Sequence, residues 1–340
     1  MENYEIEEIK PVFNEMGMPV NFGWARYPVF KYEPDLCWTP RRLISEIERY
    51  IIFSPTHLFM FEAFDGGFSG HLSFIAVSLL DKKKSEKIEN INFPMGTLNL
   101  PKESSTISIK QKQILFEVII LERGNRILKV DIPEIKGHSN LRGEVVLSEP
   151  PNAQEFVSNS RWRGEKNSFQ LLQCSPWYSV EGVIQFENTP IVFNQNRACG
   201  IYYTNRIGRP KRDFHYWAAA CGYQNDRLIG FNIGYGLADS STGSENAFFV
   251  NGHIHKLGEV TFKISTSSWL DPWRFTSSDK RIEMTFIPCE MSVHKRYILF
   301  YSLRSVQVFG FFSGEAVLDD GSVIQFRNIT GMTERKKTRY

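Results

Sequence analysis

This 340-residue sequence reads as an all-β protein made of two similar antiparallel units, each a barrel or sandwich. Three features carry that expectation. First, short phrases recur between the halves. Arg126-Ile127-Leu128-Lys129-Val130-Asp131-Ile132-Pro133 returns 155 positions on as Arg281-Ile282-Glu283-Met284-Thr285-Phe286-Ile287-Pro288. Gly143-Glu144-Val145-Val146-Leu147 returns 171 positions on as Gly314-Glu315-Ala316-Val317-Leu318. A looser pair sets Tyr50-Ile51-Ile52-Phe53 against Tyr216-Trp217-Ala218-Ala219, 166 positions apart. Such a spacing is domain-sized, well beyond the roughly 20–50 residues of a solenoid repeat. Second, short apolar runs bounded by turn residues recur along the chain, as in sandwiches and barrels. Third, aromatic residues make up 14% of the sequence, a load that suits strands and large apolar interiors.

Taken in order, residues 1–40 carry Gly17, Pro19, Gly23, Pro28, Pro34 and Pro40 and read as an extended lead-in. Pro40 to Tyr50 is the one stretch with helix-like spacing, through Leu43, Ile44 and Ile47. Strands follow at Tyr50–Phe53, Leu58–Phe64 and Leu72–Leu80, the last two separated by the turn Gly66-Gly67. The charged run from Asp81 to Lys87 reads as a surface loop. Ile107–Ile109, Ile114–Leu121, Ile127–Ile132 and Val145–Leu147 are further strands. Pro150-Pro151 is the best linker signal, and the unit boundary is placed at 165/166, giving units 1–165 and 166–340. The second half adds nine more strand-like runs, from Val183–Phe186 to Val323–Phe326. Asp319-Asp320-Gly321-Ser322 makes a hairpin turn before the last of them.

Composition excludes several classes. A net charge of +2 argues for neither a nucleic-acid binder nor a membrane-surface binder. No run approaches the ~20 apolar residues of a membrane helix, and the acidic first residues do not resemble a secretion signal. Five scattered cysteines without a Cys-x-x-Cys pair suit reduced thiols and a cytoplasmic setting.

The densest polar cluster runs from Lys211 to Lys256. Residues two apart on a strand share a face, so Asp213, His215 and Trp217 point the same way. A carboxylate, an imidazole and an indole around one pocket suit acid–base work on an apolar molecule. The plainer account is a surface Asp–His pair with Trp217 in the core. Glu245-Asn246 follows the polar loop Asp239–Ser244, and a buried Glu245 would serve as proton donor or base. The expected site is therefore Glu245, Asp213 and His215 for catalysis, with Trp217, Asn232, Asn246, His255, Trp273 and Arg274 contacting ligand. Arg274 would pair with a carboxylate such as Glu245, or with a ligand acid group.

Other motifs fail their own tests. His253-x-His255 needs a third ligand to hold zinc or iron, and Asn251-Gly252 makes a hairpin turn the simpler reading. Gly230–Gly236 has the wrong spacing for a dinucleotide fingerprint and no helix after it; such glycines more often mark a close backbone approach. No Gly-x-Ser-x-Gly elbow is present. No cofactor or metal is expected.

The phrases Lys211-Arg212-Asp213-Phe214-His215-Tyr216-Trp217-Ala218, Gly230-Phe231-Asn232-Ile233-Gly234, Glu245–Leu257 and Trp273-Arg274 resemble the bacterial family known as domain of unknown function 2804. Gly23-Trp24-Ala25-Arg26 and Phe312-Ser313-Gly314 extend the resemblance to both ends. More remotely, the duplicated architecture is similar to AttH-like and carotenoid hydratase proteins, which pair two lipocalin-like (calycin-type) barrels. That resemblance implies an apolar pocket and hydratase, lyase, isomerase or cyclase chemistry on isoprenoid-like molecules. It carries over no catalytic residue, and fold alone does not fix function. The expectation is a small hydrophobic molecule bound in the second barrel, with a non-catalytic carrier or sensor as the alternative.

Overall fold

The structure, a computed structural model, describes residues 4–102, 105–111, 114–133, 140–162, 165–186, 188–208, 212–236, 239, 241, 243–299 and 301–339. The lead-in carries three short strands, β1 (Lys10–Pro11), β2 (Gly23–Ala25) and β3 (Phe30–Lys31). A meander follows: β4 (Ile44–Phe53), β5 (His57–Asp65), β6 (Ser69–Ser78) and β7 (Lys83–Asn92). Next come β8 (Ile107–Gln111), β9 (Ile114–Ile120), β10 (Arg126–Ile132), β11 (Leu141–Ser148) and β12 (Phe156–Trp162). Then come β13 (Glu165–Phe186), β14 (Thr189–Phe193) and β15 (Cys199–Gly208). The second half supplies β16 (Arg212–Gln224), β17 (Arg227–Tyr235), β18 (Ala247–Val250), β19 (His253–Lys256) and β20 (Val260–Lys263). It ends with β21 (Trp273–Ser277), β22 (Ile282–Ile298), β23 (Tyr301–Val317) and β24 (Val323–Arg339). Among the described residues the only helices are three single 3₁₀ turns, and no helix is long and apolar enough to cross a membrane.

Apart from the separate parallel pair β1–β3, the strands form two curled antiparallel half-barrel sheets, the all-β architecture expected of the sequence. The first runs β7-β6-β5-β4-β15-β13-β11-β10-β9-β8, with β12 and β14 paired to β13 and β2 to β12. The second runs β19-β18-β17-β16-β24-β23-β22-β21-β20. In each, the first strand of the opening meander lies against the last strand made, β4 on β15 and β16 on β24. The expected boundary at 165/166 coincides with the start of β13, which stays in the first sheet with β15; the second sheet begins at Arg212.

The repeat holds with one adjustment. At the textual offset of 155, buried Leu128 falls on exposed Glu283. A shift to 154 sets buried Leu128, Val130 and Ile132 on buried Ile282, Met284 and Phe286. It also maps the pair Val130–Gly143 onto the pair Met284–Gly314. Slipping a strand by one residue turns every side chain to the other face, so for this strand 154 preserves the interior and 155 does not.

Three local expectations change. Pro40–Tyr50 is a 3₁₀ turn (Arg41–Leu43) leading into β4, not a longer helix. All ten residues of β4 are buried, so both faces demand apolar or paired side chains and the period of two is hidden. The charged run from Asp81 mostly enters the edge strand β7 instead of looping out. Pro150-Pro151 joins β11 to β12 within one sheet.

The two sheets share a core. Trp217, Ala219 and Cys221 of β16 belong to the apolar cluster of the first sheet, whereas Ala218 and Ala220 belong to that of the second. Gly230 marks the close approach: a Cβ there would sit 2.3 Å from the Pro176 carbonyl oxygen of β13. The lead-in ties both halves together, since Arg26 donates to Glu5 (2.8 Å), to Gln154 (3.0 Å) and to the Ile254 carbonyl (2.9 Å).

Candidate functional site

A buried polar network fills the junction between the sheets. His215 Nε2 lies 2.7 Å from Glu245 Oε1, and both residues are buried. The Glu245 carbonyl accepts from Asn232 Nδ2 at 2.7 Å, and Asn232 Oδ1 accepts from Trp217 Nε1 at 2.7 Å. Gly234 leaves room for the carboxylate, because a Cβ there would fall 1.9 Å from Glu245 Oε1. The glycines of β17 thus serve close packing.

The Trp217 indole meets Tyr203 at a tilt (ring centroids 4.9 Å apart), and the Arg49 guanidinium lies 4.9 Å from the indole centre. Arg49 joins carboxylates of both halves: its Nε donates to Glu62 at 2.7 Å and its Nη2 to Glu334 at 2.8 Å. Glu62 also meets His71 Nε2 at 2.8 Å, and Glu334 accepts from Ser305 Oγ at 2.6 Å and Gln307 Nε2 at 3.2 Å. Burial alone would raise the Glu62 carboxyl, but Arg49 and His71 outweigh it and hold the acid below its ordinary range. Burial, helped by neighbouring His71, pushes His294 down to about 4, so that imidazole is neutral at pH 7. Beside His215 the network leaves a space of about 20 Å³, lined by Arg49, Tyr203, Asn205, Glu334 and Lys336. That is room for a water and not for a substrate.

His215, Trp217, Asn232 and Glu245 are thus brought together, with Asn246 adjacent in the chain. Their facing partner is the first sheet, not the interior of the second half-barrel. Asn246 serves the backbone: its Oδ1 accepts from Gly234 N at 2.8 Å and its Nδ2 donates to the Gly258 carbonyl at 3.1 Å. Lys256 Nζ bonds Ser244 Oγ (2.6 Å) and the Asn246 carbonyl (2.8 Å), and loss of solvent lowers its pKa to about 7. Much of the Glu245–Leu257 phrase is therefore architecture. Asp213 lies opposite Thr338 in the β16–β24 register, and its side chain is outside the described ones.

The remaining three predicted residues lie apart from this group. Trp273 is fully buried in the second core beside Phe286. Arg274 is exposed opposite Lys263, so the pairing expected with Glu245 is not made. His255 Nδ1 sits 3.3 Å from Asp319 Oδ2, and His253 is exposed. Among the described residues no three His, Cys, Asp or Glu side chains gather as a metal site.

Inspection of the sequence missed two things. One is the first-half share of the junction, Arg49, Glu62 and His71. The signal was the single acid within Leu58-Phe59-Met60-Phe61-Glu62-Ala63-Phe64, a run that otherwise reads as apolar. The other is a cavity of about 290 Å³ inside the first half-barrel, walled by Phe74, Ala76, Ile132, Leu141 and Phe186 and edged by Lys87. The cavity and the junction occupy opposite faces of the first sheet. Tyr50, Phe61 and Phe74 share one face through the β4–β5–β6 register, and Arg49, Glu62 and Ser73 share the other.

A profile of the family described as domain of unknown function 2804 matches residues 3–340. No curated protein matches the sequence. Among solved structures, a Nitrosomonas europaea protein designated AttH aligns at 12% identity with a TM-score of 0.49, covering 85% of this chain and 92% of its own. Kievitone hydratase from Nectria haematococca aligns at 9% identity with a TM-score of 0.44, covering 87% and 88%.

Proposed function

We propose, for a chain that belongs to the family described as domain of unknown function 2804, that the first half-barrel binds a small, largely apolar molecule. The observation that carries this reading is the cavity of about 290 Å³ walled by Phe74, Ala76, Ile132, Leu141 and Phe186. Its size lies near the lower end of ligand sites, roughly 300–1,000 Å³, and an apolar wall with a polar edge is their usual character. The second half-barrel, where the ligand was expected, offers Phe231, Phe248, Phe275, Phe286 and Phe312 packed together as core.

The test is titration of the full chain with the neutral apolar fluorophore N-phenyl-1-naphthylamine. Saturable binding is expected, weakened at least tenfold by Ala76→Phe, which places a ring in the cavity. Equal binding by the variant would place the molecule elsewhere and overturn the reading.

A second reading keeps the acid–base pair. Glu245 Oε2 is buried without a hydrogen-bond partner, while Oε1 meets His215 beside a space with room for one water. Such a dyad suits cofactor-free proton transfer: hydration, elimination, isomerisation or cyclisation. Because the apolar cavity lies behind the sheet, a substrate would have to enter the junction itself. Glu245→Gln separates the readings: turnover that is lost while fluorophore affinity holds supports chemistry at the pair. Turnover that survives the substitution removes Glu245 from the reaction.

A further inference from the structure

A second cavity, of about 340 Å³, lies beneath the lead-in, and it shares no lining residue with the first. Val29 and Phe30 roof it, and Val157 and Leu171 form an apolar floor. Two exposed lysines, Lys31 and Lys102, stand at its edge, with Lys102 also 3.1 Å from exposed Asp35. The Gln173 amide lines the cavity, and its Nε2 is buried without a hydrogen-bond partner. Arg206 lines it as well, but its guanidinium is engaged by Glu48 and by the Ile47 and Pro101 carbonyls.

These features differ in chemistry from the first cavity. Here Lys31, with Lys102 shared with Asp35, sets a positive field at the mouth of a cavity with an apolar floor, which attracts anions. A buried amide donor with no acceptor is unfavourable, and a ligand oxygen accepting from it removes that penalty. We propose that this cavity binds an amphipathic organic anion of the single-chain alkyl carboxylate class. Gln173 Nε2 donates to the head group, Lys31 and Lys102 supply the charge, and the chain packs among Val29, Phe30, Val157 and Leu171.

Calorimetric titration of the full chain with decanoate and with decanol, both below their aggregation limits, tests the assignment. Decanoate is expected to bind at least tenfold tighter than decanol, with an affinity that falls as salt rises. The double substitution Lys31→Glu/Lys102→Glu, at exposed positions, is expected to cut decanoate affinity at least tenfold and to change decanol less than twofold. Gln173→Leu is expected to weaken decanoate several-fold on its own. Ala76→Phe, which fills only the first cavity, is expected to leave decanoate unchanged, so this result stands or falls apart from that of the neutral fluorophore. The assignment is overturned if decanoate fails to bind, if the double variant binds it as tightly as the parent, or if Ala76→Phe abolishes its binding.

Discussion

The two half-barrels share the register of the facing pairs β10–β11 and β22–β23, yet the first encloses a ligand-sized cavity where the described residues of the second pack aromatic rings. The corrected repeat locates the cause. Ile132 and Leu141, which wall the first cavity, correspond to Phe286 and Phe312 of the second half. In the second half those rings pack at a tilt with centroids 4.4 Å apart, and Phe312 also packs on Phe231 (4.9 Å) and Phe275 (5.6 Å). At these two facing positions the first half carries aliphatic side chains that wall a cavity, and the second packs rings against one another.

Removing a packed ring from the second half should have the largest effect. Phe312→Ala is expected to cost about 3–5 kcal/mol, the usual range for a fully buried ring. Urea unfolding would measure it, and a loss near 1 kcal/mol would show that the second half is not tightly packed. A comparable loss is expected where the halves meet. Arg49→Met leaves Glu62 and Glu334 buried without the guanidinium that bridges them, which typically costs about 3–5 kcal/mol. Because one carboxylate comes from each sheet, fluorescence and circular dichroism should report a single shifted transition. Two separated transitions would mean that the halves fold independently of this junction.

Filling the hollow half is the milder experiment. Ile132→Phe with Leu141→Phe reproduces the second half in the first. Overpacking a filled core costs about 1–3 kcal/mol, and here the added rings enter existing space, so the loss should fall at or below that range. Binding of the neutral fluorophore should vanish. Retained binding with unchanged affinity would break the equivalence between the halves.

These particulars explain what could be read from the sequence. The strands, the Gly66-Gly67, Asn251-Gly252 and Asp319–Ser322 turns, and the duplication were legible because they depend on local chemistry. The one-residue slip arose because matching Arg126 to Arg281 and Pro133 to Pro288 maximises identity, while the fold matches faces. For the site, period two placed His215 and Trp217 on one face, as the structure does. Which way that face looks was not legible, because both faces of the middle of β16 are buried, one against each sheet. The cavity was hidden for another reason: it is a difference in volume between residues far apart in the chain, and no local pattern records it.

The smallest expected effect is a difference in pH response between the halves. Each holds one partly buried group whose pKa is brought to about 7. In the first, burial, reinforced by nearby Glu155, raises Glu149 from its ordinary 4.5. In the second, loss of solvent lowers Lys256 from 10.5. Between about pH 4.5 and 7 the folded chain holds a Glu149 proton that the unfolded chain has released, so this group's contribution falls as pH rises. Between about 7 and 10.5 the unfolded chain holds a Lys256 proton that the folded chain has released, so this contribution rises with pH. Glu62 and Glu334, held low by Arg49, act in a lower window, withdrawing stability as pH drops below about 4.5. Urea midpoints for the parent, Glu149→Gln and Lys256→Gln should therefore differ in slope on opposite sides of pH 7. The first substitution should remove a decline below pH 7, and the second a rise above it. A uniform loss of stability moves neither slope. If either variant tracks the parent in parallel across its own window, that half does not bury its titrating group as the structure shows.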